Sequence, residues 1–205
     1  HVGGLDLRFP HHENERAQTN SVTGIESVKL WVHGEHLLFE GRKMAKSSGN
    51  VVLLKDLVER GFDPLSLRLC LLENRYRSQM DLTWDSIAAA NATLKRWRRS
   101  GLGKATNYQP DPPTLEALNN DLDTPRVIQR LRNVEKDAKL TDSEKAEVFT
   151  FADQVLALDL GRDLVVAELP AELASLLTAR EVARSTKNWS ESDRLRIELE
   201  SAGLV

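Results

Sequence analysis

Residues 1–15 read HVGGLDLRFPHHENE, and this stretch predicts a strand-to-helix connection in which Pro10 begins the helix. Proline suits the first turn of a helix because its missing N–H would have no partner there. His11 and Glu15 then lie one turn apart on the same face. An imidazole and a carboxylate on one helix face form half of a tetrahedral zinc site. The other half is not obvious elsewhere in the sequence, and a solvated first turn with well-placed acids is the alternative reading.

The composition is typical of a globular protein. The chain has 205 residues, of which 40% are hydrophobic and 29% charged, so it is long enough to bury a core. No apolar run approaches the roughly 18 residues that a membrane helix needs. The single cysteine, Cys70, excludes an intrachain disulfide and fits a reducing compartment. We therefore expect a cytoplasmic protein with no membrane partner.

Charge and histidine content differ between the two halves of the sequence. Residues 1–100 carry 15 Lys/Arg and 12 Asp/Glu, whereas residues 101–205 carry 13 and 19. All five histidines fall within the first 36 residues. The chemistry is therefore concentrated at the front, and the acidic second half does not favour non-specific nucleic-acid binding.

The first 60 residues alternate between short strands and helices. The periodicity predicts a helix over 11–22 that stops at Thr23-Gly24, and strands over 28–33 and 36–39. A turn at 40–42 leads into a loop over 43–50 with the sequence KMAKSSGN. Two lysines flanked by hydroxyls and glycine are able to hold nucleotide phosphates, although a plain basic hairpin would look similar.

The rest of the sequence predicts helices. Asp63-Pro64 is an N-cap followed by proline at the first helical position, and a further helix ends near Arg99. Residues 100–113 are rich in glycine, proline and polar residues and form the best linker. Four helices are predicted after it, including one with a Thr141/Glu144 capping box that runs to about Leu160. They suggest an antiparallel bundle.

Several stretches together resemble the cysteinyl-tRNA synthetases, in order and in approximate spacing. They are GGLDLRFPHHENERAQ (3–18), WVH (31–33), KMAKS (43–47), DPLSLR (63–68) and YRS (76–78). The tail over 183–199 resembles the end of that family's helical domain. The FPHHENE block is highly specific to this family, while the lysine loop is shared by all class I synthetases.

The resemblance implies a class I ligase that activates cysteine with ATP and transfers it to tRNA(Cys). It implies that Zn²⁺ is held by two cysteines, a histidine and a glutamate, of which the last two correspond to His11 and Glu15. Zinc would select the substrate thiolate over the hydroxyl of serine. His1 and Asp6 correspond to positions that line the amino-acid pocket.

The lysine loop corresponds to the family's ATP signature. Lys43, Met44, Lys46 and Ser47 would contact ATP and its Mg²⁺, with Lys46 and Lys43 as the catalytic lysines that stabilise charge on the phosphates. The family has serine where this sequence has Ala45. We expect the loss of this one hydroxyl to modulate activity rather than abolish it.

The resemblance also predicts the fold class and its division. We expect a mainly α protein: a remnant of a class I α/β catalytic domain with the lysine loop (1–60), a connecting helical region (61–110) and an antiparallel helical bundle (111–205). The nucleotide-binding half, with an H-x-G-H-type signature and both zinc-binding cysteines, is expected before His1. The anticodon-reading domain is expected beyond Val205. This chain alone is then expected to be inactive and to bind zinc weakly.

Two alternatives stay open. A synthetase-like ligase that joins cysteine to a small amine such as an aminosugar shares the lysine loop and the FPHHE core. A non-catalytic paralogue would use its helical bundle only to bind tRNA or a partner. We expect the protein to be a monomer.

Overall fold

The computed structural model describes residues 1–44, 51–163 and 171–202 of the chain. Its contacts divide the chain into two compact units, 1–163 and 164–205. Helices make up most of the described residues, which confirms the mainly α class. The functional division at residues 60 and 110 stays a prediction. In the parts described, no helix combines the length and apolar character needed to cross a membrane.

The first unit opens with strand β1 (Val2–Gly4) and reaches helix α1 (Glu13–Thr23) through a 3-10 turn and a wide π-type turn. The predicted helix start at Pro10 was wrong. Pro10 lies inside the wide turn, next to Phe9 in an extended conformation (φ −141°, ψ 134°), so the α-helix begins only at Glu13. The predicted stop is confirmed, because Gly24 closes the helix at φ 72°.

Strand β2 (Val32–Gly34) runs parallel to β1 and aligns Gly3 with His33 and Gly4 with Gly34. A strand over 28–33 was predicted, and the observed strand is shorter and shifted towards Gly34. Before the ladder, the His1 amino group donates to the Leu30 carbonyl at 2.9 Å, and regular strand pairing begins at Val2 and Val32.

A second sheet has three strands in the order β4–β3–β5. Strand β3 (Leu37–Phe39) pairs antiparallel with β4 (Arg42–Lys43) and parallel with β5 (Met80–Leu82). Lys43 therefore lies in a strand, whereas the sequence placed it in the loop.

Three helices, α2 (Leu54–Glu59), α3 (Pro64–Leu72) and α4 (Trp84–Arg99), surround this sheet. The predicted cap is confirmed: the Asp63 carboxylate accepts a hydrogen bond from the Leu65 N–H at 2.8 Å. Thr83 and Ser86 form a reciprocal capping box at the start of α4.

Helices α5 (Pro112–Asn119), α6 (Thr124–Lys136) and α7 (Asp142–Leu156) complete the first unit. Helix α5 was not predicted, because its Asp-Pro start lies in a stretch whose proline and glycine content indicated a linker. The ring of Trp97 on α4 meets Phe149 on α7 edge to face at 5.3 Å, so these helices share one core.

Arg98 ties the end of α4 to two other segments. Its side chain is 1% exposed and donates to the Asp63 carboxylate at 2.6 Å and to the carbonyl oxygens of Leu158 and Asp159. Arg162 also reaches the same Asp63 oxygen, at 3.0 Å. A buried guanidinium with this many acceptors is satisfied rather than strained.

The described part of the second unit is a helical hairpin. Helices α8 (Ala171–Ser185) and α9 (Trp189–Ser201) pack against each other across a three-residue connection, and Asn188 caps α9 by accepting from the Glu191 N–H at 3.3 Å. Pro170 and Gly203, the predicted start and stop signals of these two helices, lie outside the described residues.

Candidate functional site

The carboxyl ends of β1 and β2 meet at Gly4 and Gly34, and a cavity of about 510 Å³ opens beside them. In open α/β sheets, ligands bind in the crevice beyond the carboxyl ends of parallel strands. The cavity lining mixes polar and apolar groups: three arginines (Arg8, Arg16 and Arg77) and two glutamates (Glu13 and Glu35) lie beside histidines and Trp31. Such a lining offers both cationic and anionic contacts to a polar ligand.

Four histidines and one carboxylate gather beside this cavity, and we call this group the histidine cluster: His1, His11, His12, His33 and Glu15. His1 Nε2 lies 3.3 Å from Glu15 Oε2, and His11 Nε2 lies 3.2 Å from Glu15 Oε1. His11 and Glu15 therefore meet as predicted, although His11 lies in the wide turn before α1 rather than on the α-helix itself. The Glu15 carboxylate contacts two imidazoles, one from the residue before β1 and one from the wide turn before α1.

His12 is the buried centre of the cluster, at 3% exposure. Its ring centroid lies 4.6 Å from that of His1 and 5.1 Å from that of Trp31, and its Nδ1 is 2.8 Å from His33 Nε2. A β-carbon placed on Gly3 would come within 2.6 Å of His12 Cε1. Only glycine therefore allows strand β1 to pass so close to this ring.

The cluster has the donor chemistry of a metal site. Within the described residues, ligand atoms of His1, His12 and Glu15 lie within 4.8 Å of one another. Glu15 Oε2 is shielded from solvent, and its nearest basic group is His1 Nε2 at 3.3 Å, without a hydrogen bond of full geometry between the two atoms. Imidazole nitrogens and a carboxylate oxygen that converge in this way are ligand types that Zn²⁺ binds, so the residues present fit a bound divalent cation.

The structure places the predicted ligand His11 on the outer side of the same carboxylate. Its side chain is 59% exposed. The assignment of His11 and Glu15 as the metal ligands stays a prediction. The structure adds His1 and His12 as further candidate ligands beside Glu15.

Of the two residues predicted to line the amino-acid pocket, His1 belongs to the histidine cluster and Asp6 lies in the turn after β1. His1 borders a second cavity of about 260 Å³ together with Glu15, and Arg16 and Trp31 line both cavities. Asp6 is exposed in the 3-10 turn after β1, where its carboxylate folds back over Gly4.

Only the first part of the lysine loop is described. Lys43 is exposed at the end of β4, and Met44 is partly buried against the core of the first unit. Lys46 and Ser47, which were predicted to act on ATP, lie outside the described residues.

His12, His33 and Trp31 were not selected as site residues from the sequence. The concentration of histidines in the first 36 residues was the available signal. It could not be converted into contacts, because the approach of His12 to His33 depends on the parallel pairing of β1 with β2.

Comparisons with known proteins match both ends of the chain to domain families. Residues 1–92 match the family of class I (C) tRNA synthetase catalytic domains. Residues 166–205 match the cysteinyl-tRNA ligase anticodon-binding domain. The expectation that such a domain would lie only beyond Val205 was therefore wrong: the amphipathic pattern of this tail predicted helices but carried no information about which domain they belong to.

Curated relatives match the chain along its whole length. Two proteins described as cysteine--tRNA ligase, from Opitutus terrae and Methylocella silvestris, are each 38% identical, over 99% and 100% of this chain and 45% and 46% of their own. A third, from Chlamydia muridarum, is 35% identical over 100% of this chain and 50% of its own. The chain thus spans about half the length of the curated relatives it matches.

Among solved structures, a ternary complex of Agrobacterium radiobacter K84 LeuRS with tRNA and LeuAMS is similar in fold, with a TM-score of 0.53 and 16% identity. The similarity covers 77% of this chain and 25% of that one, and it is a similarity of fold. The chain thus combines similarity to a class I (C) catalytic domain at its front, similarity to a cysteinyl-tRNA ligase anticodon-binding domain at its end, and similarity to curated cysteine--tRNA ligases along its length.

Proposed function

We propose that this protein works as part of a cysteine--tRNA ligase, which activates cysteine with ATP and transfers it to tRNA(Cys). The observation that carries the proposal is the convergence of ligand atoms of His1, His12 and Glu15 within 4.8 Å of one another, in the segment that matches a class I (C) catalytic domain. A cation at these atoms is what a thiol-selecting pocket requires.

His11 and Glu15 are the residues that we propose hold Zn²⁺. Bound zinc would take the cysteine thiolate as a ligand and accept the hydroxyl of serine only poorly. The site would then reject serine without an editing step, because serine lacks the contact on which binding depends. His1 and Asp6 are proposed to orient the rest of the amino acid.

Lys43 and Lys46 are proposed to neutralise charge on the ATP phosphates while the adenylate forms, with Met44 and Ser47 beside them and Mg²⁺ on the nucleotide. The position of Lys43 supports this role, because it is exposed at the end of a strand whose next residue packs on the core.

The acceptor is proposed to be tRNA rather than an aminosugar. The match of residues 166–205 to an anticodon-binding domain supports this choice, because a small amine offers no anticodon to read. We further propose that the protein is a monomer in the cytoplasm, which size-exclusion chromatography with light scattering and cell fractionation would test.

The first test is amino-acid-dependent ATP–pyrophosphate exchange by the complete gene product. We expect exchange with cysteine and none above background with serine. Glu15→Gln should lower the cysteine-dependent rate roughly 100-fold or more, since a ligand is lost. Glu13→Gln, which removes a charge from the same helix and from the cavity wall but not from the histidine cluster, is the matched control. Equal rates with cysteine and serine would contradict the proposal.

A further inference from the structure

Lys43 lies at the end of a short β-hairpin, formed by a strand of three residues and a strand of two. Strands β3 and β4 are joined by Glu40 and Gly41, both with positive φ (50° and 73°). This is the pattern of a two-residue type I′ turn, which matches the twist of the strands. Strand β4 has two residues and lies at the sheet edge, so its own ladder holds it only weakly.

Asp81 on β5 compensates for this weakness. Its carboxylate accepts the Gly41 N–H with both oxygens, at 2.9 and 3.1 Å. The Asp81 side chain thus extends from β5, past the end of β3, to the turn that joins β3 to β4. Its neighbours Met80 and Leu82 are buried while Asp81 is exposed. The alternation of the strand therefore accounts for a polar residue at this position, and the bond to Gly41 gives a carboxylate a use there.

Asp81 and Lys43 also share a face of the sheet. Leu38 pairs with Lys43 on one side and with Asp81 on the other. Paired residues point to the same face, and two strand spacings separate the outer pair by about 10 Å at the backbone. Asp81 and Lys43 therefore occupy corresponding positions on the two strands that flank β3.

A second contact ties the turn to helix α4. Glu40 Oε1 accepts from the Trp84 N–H at 3.0 Å, and the Glu40 N–H donates to the Leu82 carbonyl at 3.0 Å. The guanidinium of Arg60 lies 3.9 Å from the centre of the Trp84 ring. Glu40 is thus bonded to β5 and to the first residue of α4, and Gly41 is bonded to β5.

We propose that Asp81 is a positioning residue, which sets where Lys43 meets the phosphates of ATP by holding the Gly41 N–H. The inference rests on the proposed function, because it assumes that Lys43 acts on ATP. Asp81 itself does not touch the nucleotide. Its effect passes through the turn, so it should appear in the rate of adenylate formation rather than in the binding of cysteine.

The test measures cysteine-dependent ATP–pyrophosphate exchange by the complete gene product and three variants. Asp81→Ala should lower kcat roughly tenfold with the KM for cysteine unchanged, because an acceptor that orients a catalytic group is lost. Asp81→Asn should stay within about twofold, since its amide oxygen still accepts the Gly41 N–H. Asp85→Ala removes an exposed acid from the first turn of α4 and is the matched control, with no expected effect.

A double-mutant cycle with Lys43→Ala separates positioning from general stability. If Asp81 acts through Lys43, Asp81→Ala should cost less than about twofold in the Lys43→Ala background. Hydrogen exchange gives a readout independent of activity: in Asp81→Ala the Gly41 and Lys43 amides should exchange faster while the α4 amides stay protected.

Several results would overturn the inference. The first is a kcat of Asp81→Ala equal to that of the unsubstituted protein, and the second is a kcat of Asp81→Asn as low as that of Asp81→Ala. The third is a roughly tenfold drop in kcat when Asp81→Ala is added to Lys43→Ala. The fourth is faster hydrogen exchange throughout α4 in Asp81→Ala. Each of these leaves the proposed function intact when the unsubstituted protein is active. If the unsubstituted protein shows no cysteine-dependent exchange, the proposed function fails, and this inference fails with it.

Discussion

His12 Nδ1 lies 2.8 Å from His33 Nε2, so one imidazole–imidazole hydrogen bond joins the turn after β1 to strand β2. One ring must donate and the other accept. Because Nδ1 of His12 is used in this bond, Nε2 is the nitrogen left to face the rest of the histidine cluster. An outer hydrogen bond of this kind fixes the orientation of a ring that serves a metal or a substrate.

Gly3→Ala should disturb this arrangement directly. The new methyl group would lie 2.6 Å from His12 Cε1, and the buried ring would have to move. We expect a loss of about 1–3 kcal/mol in the free energy of unfolding, measured in urea. Gly34→Ala on the neighbouring strand is the control, because its methyl group would meet only the Tyr76 carbonyl at 3.5 Å. Equal stability of Gly3→Ala and the unsubstituted chain would show that the ring is not held as described.

Zinc binding by this chain alone should be weak. Two of the four ligands that the family resemblance implies, His11 and Glu15, are present here. We therefore expect a Kd no tighter than about 1 μM by isothermal titration or chelator competition.

Glu15→Gln should weaken this binding further, while Glu13→Gln should leave it unchanged. Tight stoichiometric binding by this chain would mean that His1 and His12 complete the ligand set, contrary to the expectation of an incomplete site.

Arg98→Ala should be among the most destabilising single changes in the first unit. It would leave the Asp63 carboxylate with one guanidinium fewer and the carbonyls of Leu158 and Asp159 without their donor. We expect a cost of about 3 kcal/mol, measured by chemical denaturation. Arg99→Ala, exposed at the next position, should change stability by less than about 0.5 kcal/mol. Similar costs for the two variants would argue against the buried network.

Asp63 should also make stability depend on pH. Burial acts to raise the pKa of its carboxyl, but hydrogen bonds from Arg98 and the Leu65 N–H outweigh it and hold the pKa below its ordinary value. A lowered native pKa means that the stabilisation is full above the ordinary aspartate pKa of about 3.9 and is lost as pH falls through the native value.

Asp63→Asn should be less stable than the unsubstituted chain near neutral pH, with the gap closing as the pH falls below about 4. Melting curves of both proteins across that range measure this. A gap that stays constant with pH would contradict the role of the ionised carboxylate.

Local signals in the sequence predicted local structure well. Asp63-Pro64, the Thr141/Glu144 capping box and Gly24 each act within one helical turn, and all three helix ends are confirmed. Helix α7 was predicted to reach Leu160 but ends at Leu156. Ala157 turns to φ 50° because the Asp153 carboxylate accepts the N–H groups of Leu158 and Leu160.

Features that depend on long-range pairing could not be predicted. The parallel pairing of β1 with β2 joins segments about 30 residues apart, and the contact between His12 and His33 depends on that pairing. The resemblance to a known family singled out His11 and Glu15 but gave no role to His12, whose burial only the fold reveals. The pairing of Leu38 with both Lys43 and Asp81 is another relationship that the linear sequence does not contain.

The most direct test of the central claim is the charging of tRNA(Cys) with radiolabelled cysteine by the complete gene product, in the presence of ATP, Mg²⁺ and Zn²⁺. We predict cysteine-dependent charging that Glu15→Gln abolishes and Glu13→Gln leaves intact, with no charging by serine. Activation of cysteine without transfer to tRNA, or transfer to a small amine instead, would contradict the assignment to tRNA(Cys).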